Sequence, residues 1–187
     1  MLDEMFYWGL WVLGVLSVFD VGRQYIESVG LFRYLAREQR EPAANTDDLP
    51  KAAVILVLRG PDPRLRDTLR ALLAQDYSDF LIQVVVDSDQ DPVFNEVLEA
   101  QATSGRIQVT VLQNPRNNCS LKCSSLIQAI NDLPPGVEIM AFIDGDVVPY
   151  SSWLSELVGP IVAGKADVTG GNRWYLPVDA AWGSFVR

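Results

Sequence analysis

The stretch Ile139-Met140-Ala141-Phe142-Ile143-Asp144-Gly145-Asp146 decides how this chain is read: an apolar run followed by two carboxylates one residue apart. A short continuous apolar run bounded by turn residues is expected of a strand covered on both faces. Such a strand, ending in paired acids, delivers them to the carboxyl edge of a sheet, where open α/β folds place ligands. Two carboxylates at this spacing can hold a hard divalent cation, and the cation can in turn hold a diphosphate. An isolated Asp-x-Asp is also an ordinary acidic turn, so its meaning depends on what precedes it.

Upstream, the same kind of strand recurs. Ala52–Leu58 is continuously apolar and is broken by Gly60-Pro61-Asp62-Pro63. Leu65, Leu69, Leu72 and Leu73 then fall at helical spacing. Leu81–Val86 reads as a second strand, ended by the acid-rich Asp87-Ser88-Asp89-Gln90-Asp91-Pro92. A helix is expected over 93–102, a third strand over 107–112, and a further helix whose apolar stripe is Cys123, Leu126, Ile127 and Ile130. Pro134-Pro135-Gly136 closes that helix before the strand at 139–143. Repeated β-α-β units predict an α/β, Rossmann-like, mostly parallel sheet with right-handed crossovers and helices on both faces. No internal repeat or low-complexity tract interrupts the pattern.

The N-terminus is different in kind. Met5–Phe19 is uncharged and aromatic-rich, and extended to Gly22 it is roughly one membrane span long. Asp3 and Glu4 come before it, so it lacks the basic start of a signal peptide. Residues 1–22 are therefore expected to form a transmembrane or membrane-anchoring helix. Arg23, Arg33, Arg37 and Arg40 follow, which predicts an inner- or plasma-membrane location with the soluble domain facing the cytoplasm. Residues 23–50 read as a juxtamembrane helix and a polar, Pro-bearing linker, and 51–187 as the soluble domain. The formal net charge of -9 argues against a nucleic-acid partner, which needs clustered Lys and Arg. The chain has no His, which removes His-based triads and His-ligated zinc. Cys119 and Cys123 read as reduced thiols, not as a disulfide framework.

The expected strand ends converge on one edge: Arg59-Gly60 after the first, Asp87 after the second, Asp144-Gly145-Asp146 after the fourth. Asp87 reads either as an acceptor for a ring N–H or a ribose hydroxyl, or as a turn acid that caps the next helix. Lys122 lies just inside a predicted helix start, where a cation and free N–H groups suit phosphate oxygens, although a first-turn Lys is also commonly just solvated. Asp144 and Asp146 read as a metal clamp on a nucleotide diphosphate, as an acid pair of the haloacid dehalogenase type, or as an acidic turn before a helix at Ser151. The phosphatase reading needs a later Lys and a second acid pair. Only Glu156, Asp167 and Asp179 follow, and they are unpaired in sequence.

With those residues in place, the chain resembles the family 2 glycosyltransferases, which have a GT-A nucleotide-sugar-binding fold. It looks most similar to the membrane-anchored bacterial branch related to ceramide and hopanoid glucosyltransferases. The resemblance is carried by AAVILVLRGPDP, LRALLAQDYSDFLIQVVVDSDQDPV, NNCSLKCSSLIQAI, AFIDGDVVPYSSWLSELV and TGGNRWYLP, which together span most of 51–187. It implies that Arg59, Asp87, Lys122 and Asp144 bind the donor, with Asp87 at the base and Lys122 near the diphosphate. Asp144 would face ribose and metal, and Asp146 would be the principal Mg²⁺ or Mn²⁺ ligand. Thr169-Gly170-Gly171 and Asn172-Arg173-Trp174-Tyr175 would border the acceptor.

The implied activity is inverting, metal-dependent transfer from a nucleotide-diphosphate sugar, expected to be UDP-linked, to a lipid or envelope acceptor. The family's later general base and its Gln-x-x-Arg-Trp segment have no match here, and nothing around Asp179 resembles the base motif. The chain therefore reads as the N-terminal, donor-binding part of such an enzyme, with the C-terminal side of the domain truncated. The alternative is a membrane-tethered module that binds the nucleotide-sugar without catalysis.

Overall fold

A computed structural model of the chain describes residues 2–38 and 49–171, which fall into two units divided between Pro42 and Ala43. The first unit is a single helix, α1 (Leu2–Glu38), of 37 residues. The sequence reading places a break near Gly22, but the helix runs through it. No proline interrupts the segment, and side-chain pairs bridge the expected break: Arg23 binds Asp20 at 3.2 Å and Glu27 at 2.6 Å, and Gln24 donates to Asp20 at 2.8 Å. Such pairs three and four residues apart stabilise a helix by about 0.2–0.5 kcal/mol each.

The expectation of a membrane-spanning helix is not met: among the described residues, no helix is long and apolar enough to cross a membrane. The uncharged run stops at Asp20. Its 15 residues reach about 22 Å at helical rise, short of a hydrocarbon core of about 30 Å. Tyr7, Trp8, Trp11, Leu13, Val15, Val18 and Phe19 are all exposed on this helix.

The second unit is a three-layer α/β structure. Its strands are β1 (Ala52–Leu58), β2 (Phe80–Val86), β3 (Ile107–Val111) and β4 (Ile139–Ile143). They lie in the order β3-β2-β1-β4, and every pairing is parallel. The strand positions agree with the sequence reading to within a residue at each end. The helices are α2 (Leu65–Leu73), α3 (Pro92–Thr103), α4 (Leu121–Asn131) and α5 (Trp153–Val162).

Alternation along the strands sorts the core into two faces. Val54, Leu56, Ile82 and Val84 point into a large cluster with Leu65, Leu69 and Leu72 of α2, Val93 and Val97 of α3, and Leu154 and Val158 of α5. Ile55 and Val85 point the other way, onto Ala129 of α4, with Leu126 and Leu133 alongside. Residues 52–56 have no exposed surface, which explains why β1, central in the sheet, carries no polar residue. Among the described residues β4 is an edge strand, and its Met140 and Phe142 share the α4 face through their register with Ala53 and Ile55, yet stay about half exposed.

The apolar stripe expected for α4 is misplaced. Its buried positions are Ser124, Ser125 and Ala129, whereas Cys123 and Ile130 are exposed. Small side chains let the helix lie close on β1 and β2, and both hydroxyls are satisfied by neighbours: Ser124 accepts from Arg116 N–H at 3.0 Å, and Ser125 donates to Asp87 at 3.3 Å. Cys119 and Cys123 are free thiols, as expected, but Cys119 lies before the Ser120 cap, outside the helix.

Two buried polar side chains fasten loops to this core. Gln75, just past α2, donates to Tyr150 O at 2.7 Å and to Ala71 O at 3.1 Å, and accepts from Leu154 N–H at 2.9 Å. Gln75→Leu strands Leu154 N–H and leaves Tyr150 O with only its backbone bond from Trp153 N–H, and is expected to cost about 2 kcal/mol. Urea unfolding should show a lower midpoint with an unchanged slope.

Tyr77 is buried, donates to Pro50 O at 2.5 Å, and packs edge-on against Phe80. Burial pushes its phenol up to about 12, with Asp79 and Glu138 adding to the effect. A folded pKa raised above the ordinary value of 10.0 stabilises the fold fully below pH 10 and loses that contribution as pH rises toward 12. Against Tyr77→Phe, the parent's advantage in urea should hold from pH 7 to 10 and shrink between pH 10 and 12.

Candidate functional site

The strand order reverses at β1: β2 and β3 follow on one side, and β4 returns on the other. Where connections leave a parallel sheet in opposite directions, a crevice opens outside the carboxyl ends of the strands. Here it lies between the ends of β1 and β4. The donor and metal candidates read from the sequence, Arg59, Asp87, Lys122, Asp144 and Asp146, stand on this edge.

Arg59 follows β1 directly and is largely exposed, with its Nε 3.4 Å from Asp87 Oδ2 at the end of β2. Asp87 is mostly buried; its other oxygen accepts from Ser125 of α4, while Oδ2 takes no hydrogen bond. One strand-end acid is thus held between a guanidinium and a helix hydroxyl. Its neighbours have different fates. Asp91 caps α3 by accepting from Val93 N–H at 3.1 Å, and it also accepts from Gly60 N–H at 2.7 Å. Gly60 has φ +73, a left-handed turn that L side chains rarely adopt, and this aims its N–H back at Asp91. Asp89 is exposed in the intervening turn. Of these three acids, the structure therefore leaves Asp87 facing the α4 side of the edge and commits Asp91 to holding the β1 and β2 loops together.

Lys122 sits in the first turn of α4, behind the Ser120 cap, which accepts from Cys123 N–H at 3.2 Å. Its ammonium donates to Asp144 Oδ1 at 2.6 Å, and both side chains are about half exposed. The pair crosses from the α4 start to the end of β4. Asp146, two residues on, is exposed.

The loop that carries the two acids is pinned from α2. Thr68, fully buried, donates to Gly145 O at 2.8 Å. A Cβ at Gly145 would stand 2.7 Å from Leu58 Cδ2, so the loop lies directly on the end of β1 and only glycine fits without displacing Leu58. Farther along, Tyr150 donates to Glu156 at 2.6 Å, a bond that raises its phenol to about 12. Ser152 also donates to Glu156, at 2.7 Å, so Ser152 stands at the α5 cap position while its hydroxyl serves that carboxylate instead. Thr68, Gln75 and Ser125 are absent from the sequence reading. No local pattern marks them, since each acts on a partner 38 to 79 residues distant.

The donor set decides what cation the edge could take. Among the described residues, no group of three or more His, Cys, Asp or Glu is placed to hold a metal by itself. Asp144 and Asp146 offer carboxylate oxygens only. Mg²⁺ and similar hard ions are commonly held by one or two carboxylates together with substrate phosphates and water, so the pair fits a cation shared with a diphosphate. Residues Asn172–Tyr175 and Asp179 lie outside the described residues, while Thr169 is anchored by its bond to Leu157 O at 2.7 Å.

Comparison with known proteins bears on the family and the fold. The family model described as Glycosyltransferase like family 2 matches residues 50–182. Glycosyltransferase AglE of Haloferax volcanii is 23% identical over 129 residues, covering 68% of this chain and 40% of its own length. The chain thus spans about two fifths of that curated relative. Among solved structures, the mannosyltransferase PcManGT of Pyrobaculum calidifontis, in complex with GDP-Man and Mn²⁺, superposes with a TM-score of 0.52 at 19% identity, over 70% of this chain and 39% of that one. The fold of the second unit is accordingly GT-A-like. With a family match over more than half its length, the chain belongs to the family 2-like glycosyltransferases.

Proposed function

We propose that this chain is the donor-binding part of a glycosyltransferase that takes its sugar from a nucleotide-diphosphate donor, with a UDP-sugar as the expected substrate. The observation that carries the reading is that the start of α4 reaches both strand-end acids beside the β1/β4 switch point, Lys122 binding Asp144 and Ser125 binding Asp87, with Asp146 two residues on. Asp87 and Arg59 would meet the base and ribose end, where a buried carboxylate oxygen has no hydrogen bond of its own. Lys122, at the open start of α4, would bind diphosphate oxygens together with the first-turn N–H groups.

Asp144 and Asp146 would hold Mg²⁺ or Mn²⁺, which when bound neutralises charge on the leaving diphosphate. The chain's own part is to fix the donor's orientation, which the Thr68 and Gln75 tethers of the acidic loop serve. Family membership sets the phosphatase reading aside.

The finer claims extend from the same site. We infer inversion at the sugar and a lipid or envelope acceptor, in keeping with the resemblance to the ceramide and hopanoid glucosyltransferase branch. We also infer that α1 holds the chain against an inner or plasma membrane, lying on it and not across it, with the second unit on the cytoplasmic side. The exposed Tyr7, Trp8, Trp11 and Tyr25 are of the kind that settles at the headgroup level. Flotation with anionic liposomes should carry the whole chain upward and leave a chain lacking residues 2–38 at the bottom. Equal flotation of both would remove α1 from the account.

Calorimetry with UDP, GDP and their sugars, with and without Mn²⁺, tests the donor site. The parent should bind a nucleotide diphosphate more tightly with the cation present, and Asp146→Ala should abolish that difference. Asp87→Ala should weaken nucleotide binding about tenfold, the scale of a hydrogen bond to a charged group. If Asp146→Ala keeps the full Mn²⁺ dependence, the metal assignment is wrong.

A further inference from the structure

Lys122 is an unusual residue for its position. The first turn of a helix favours acids, because the unpaired N–H groups carry partial positive charge. The first turn of α4 has no acid and instead holds this lysine. Its ammonium lies 2.6 Å from Asp144 Oδ1, in a pair that spans 22 residues and joins two elements. A carboxylate oxygen engaged at that distance by an ammonium has given up a lone pair that a cation would use. The ammonium's own charge also repels a dication arriving at the same acid.

We propose that the Lys122–Asp144 ion pair is a place-holder for the divalent cation. Without donor, the ammonium occupies Asp144. When a nucleotide diphosphate enters, its oxygens offer Lys122 a second acceptor beside the α4 N-terminus, the ammonium moves to it, and Asp144 Oδ1 exchanges its contact with Lys122 for one with the cation. Cation and diphosphate then load together, and by linkage each raises the affinity for the other through Lys122 as well as through their direct contact. No covalent step is involved; one charge pair is exchanged for another. The inference rests on the metal reading proposed above for Asp144 and Asp146, and it assigns Lys122 a positioning role that this reading alone does not contain.

The test measures Mn²⁺ binding in the absence of nucleotide, by paramagnetic resonance of the free ion, on the whole chain and on Lys122→Met. The substituted side chain is largely exposed, and thermal unfolding verifies that the variant is folded. Lys122→Met should bind Mn²⁺ about two- to fivefold more tightly than the parent, the range set by an exposed ion pair. Arg59→Met removes the same charge from the neighbouring strand end, where it is paired to Asp87 instead, and should leave Mn²⁺ affinity unchanged. Saturating UDP or GDP should then tighten Mn²⁺ binding by a larger factor in the parent than in Lys122→Met.

Equal or weaker Mn²⁺ binding by Lys122→Met overturns the proposal while leaving the metal reading intact. So does an Arg59→Met gain as large as that of Lys122→Met, because net charge would then account for both. Absence of Mn²⁺ binding in parent and variant alike, with or without nucleotide, overturns the proposal and the metal reading together.

Discussion

The reversal of strand order at β1 is the constraint on which the rest of this structure depends. Had β4 continued outward beyond β3, the acids at its end would have stood at the far edge of the sheet, away from Asp87 and Arg59. Because it returns beside β1 in parallel register, Leu56 pairs with Ile143, and the β4 acids emerge level with the end of β1. The same reversal sends α4 to the opposite face from α2, α3 and α5. That brings the start of α4, with Lys122 and Ser125, over the crevice. A single topological choice thus supplies strand-end acids, a facing cation and a buried hydroxyl, the last two from one helix turn far in sequence from the acids they meet.

Topology alone does not hold a loop still. Residues 144–152 leave the sheet as turn and irregular backbone, whose polar groups need partners. α2 and the residues just past it provide them: Thr68 binds Gly145 O, Gln75 spans Tyr150 O and Leu154 N–H, and Asp76 N–H binds Ser151 O at 2.7 Å. The acids therefore sit on a loop tethered at both ends to one short helix and the turn that follows it, the helix itself buried through Leu65, Leu69 and Leu72. Gly145 completes the arrangement, since its missing side chain lets the loop touch Leu58. The glycine between the two carboxylates thus answers a packing requirement.

These arrangements explain what could be read from sequence and what could not. β1 was legible because burial on both faces demands unbroken Val, Ile, Leu and Ala, and β2 because only Gln83 interrupts its apolar run; strand ends were legible because Gly, Pro and Asp cluster there. Asp87, Lys122, Asp144 and Asp146 stood out as charged residues at those ends. The inward face of α4 was misjudged because Ser124, Ser125 and Ala129 carry little apolar signal; close approach to the sheet selected small side chains over greasy ones. Thr68 and Gln75 look like any polar residues on an amphipathic helix, and only the distant carbonyls they bind reveal them. At α1, the apolar composition suggested a span, but the charge at Asp20 ends the run too early and the helix continues regardless. Composition reports what a helix prefers to touch, whereas the placement of a single charge limits how far it can reach.

A last consequence concerns charge. The chain carries a formal net charge of -9, and the donor proposed for it is itself an anion. The long-range field therefore opposes association, and only short-range terms can offset it within a Debye length of about 8 Å at physiological salt. Among the described residues, the cations at this edge are Arg59 and Lys122, each already paired with an acid of the site. An anionic ligand meets a site that is not positive, two cations facing Asp87, Asp144 and Asp146, and gains by drawing those cations away from Asp87 and Asp144. At Asp144, a divalent ion shared with the diphosphate restores the balance. At Asp87, a base N–H or ribose hydroxyl can do so by hydrogen bonding. On the donor reading proposed above, the pairing of each cation with an acid would make a nucleotide with a bound metal a better partner for this edge than a bare phosphate.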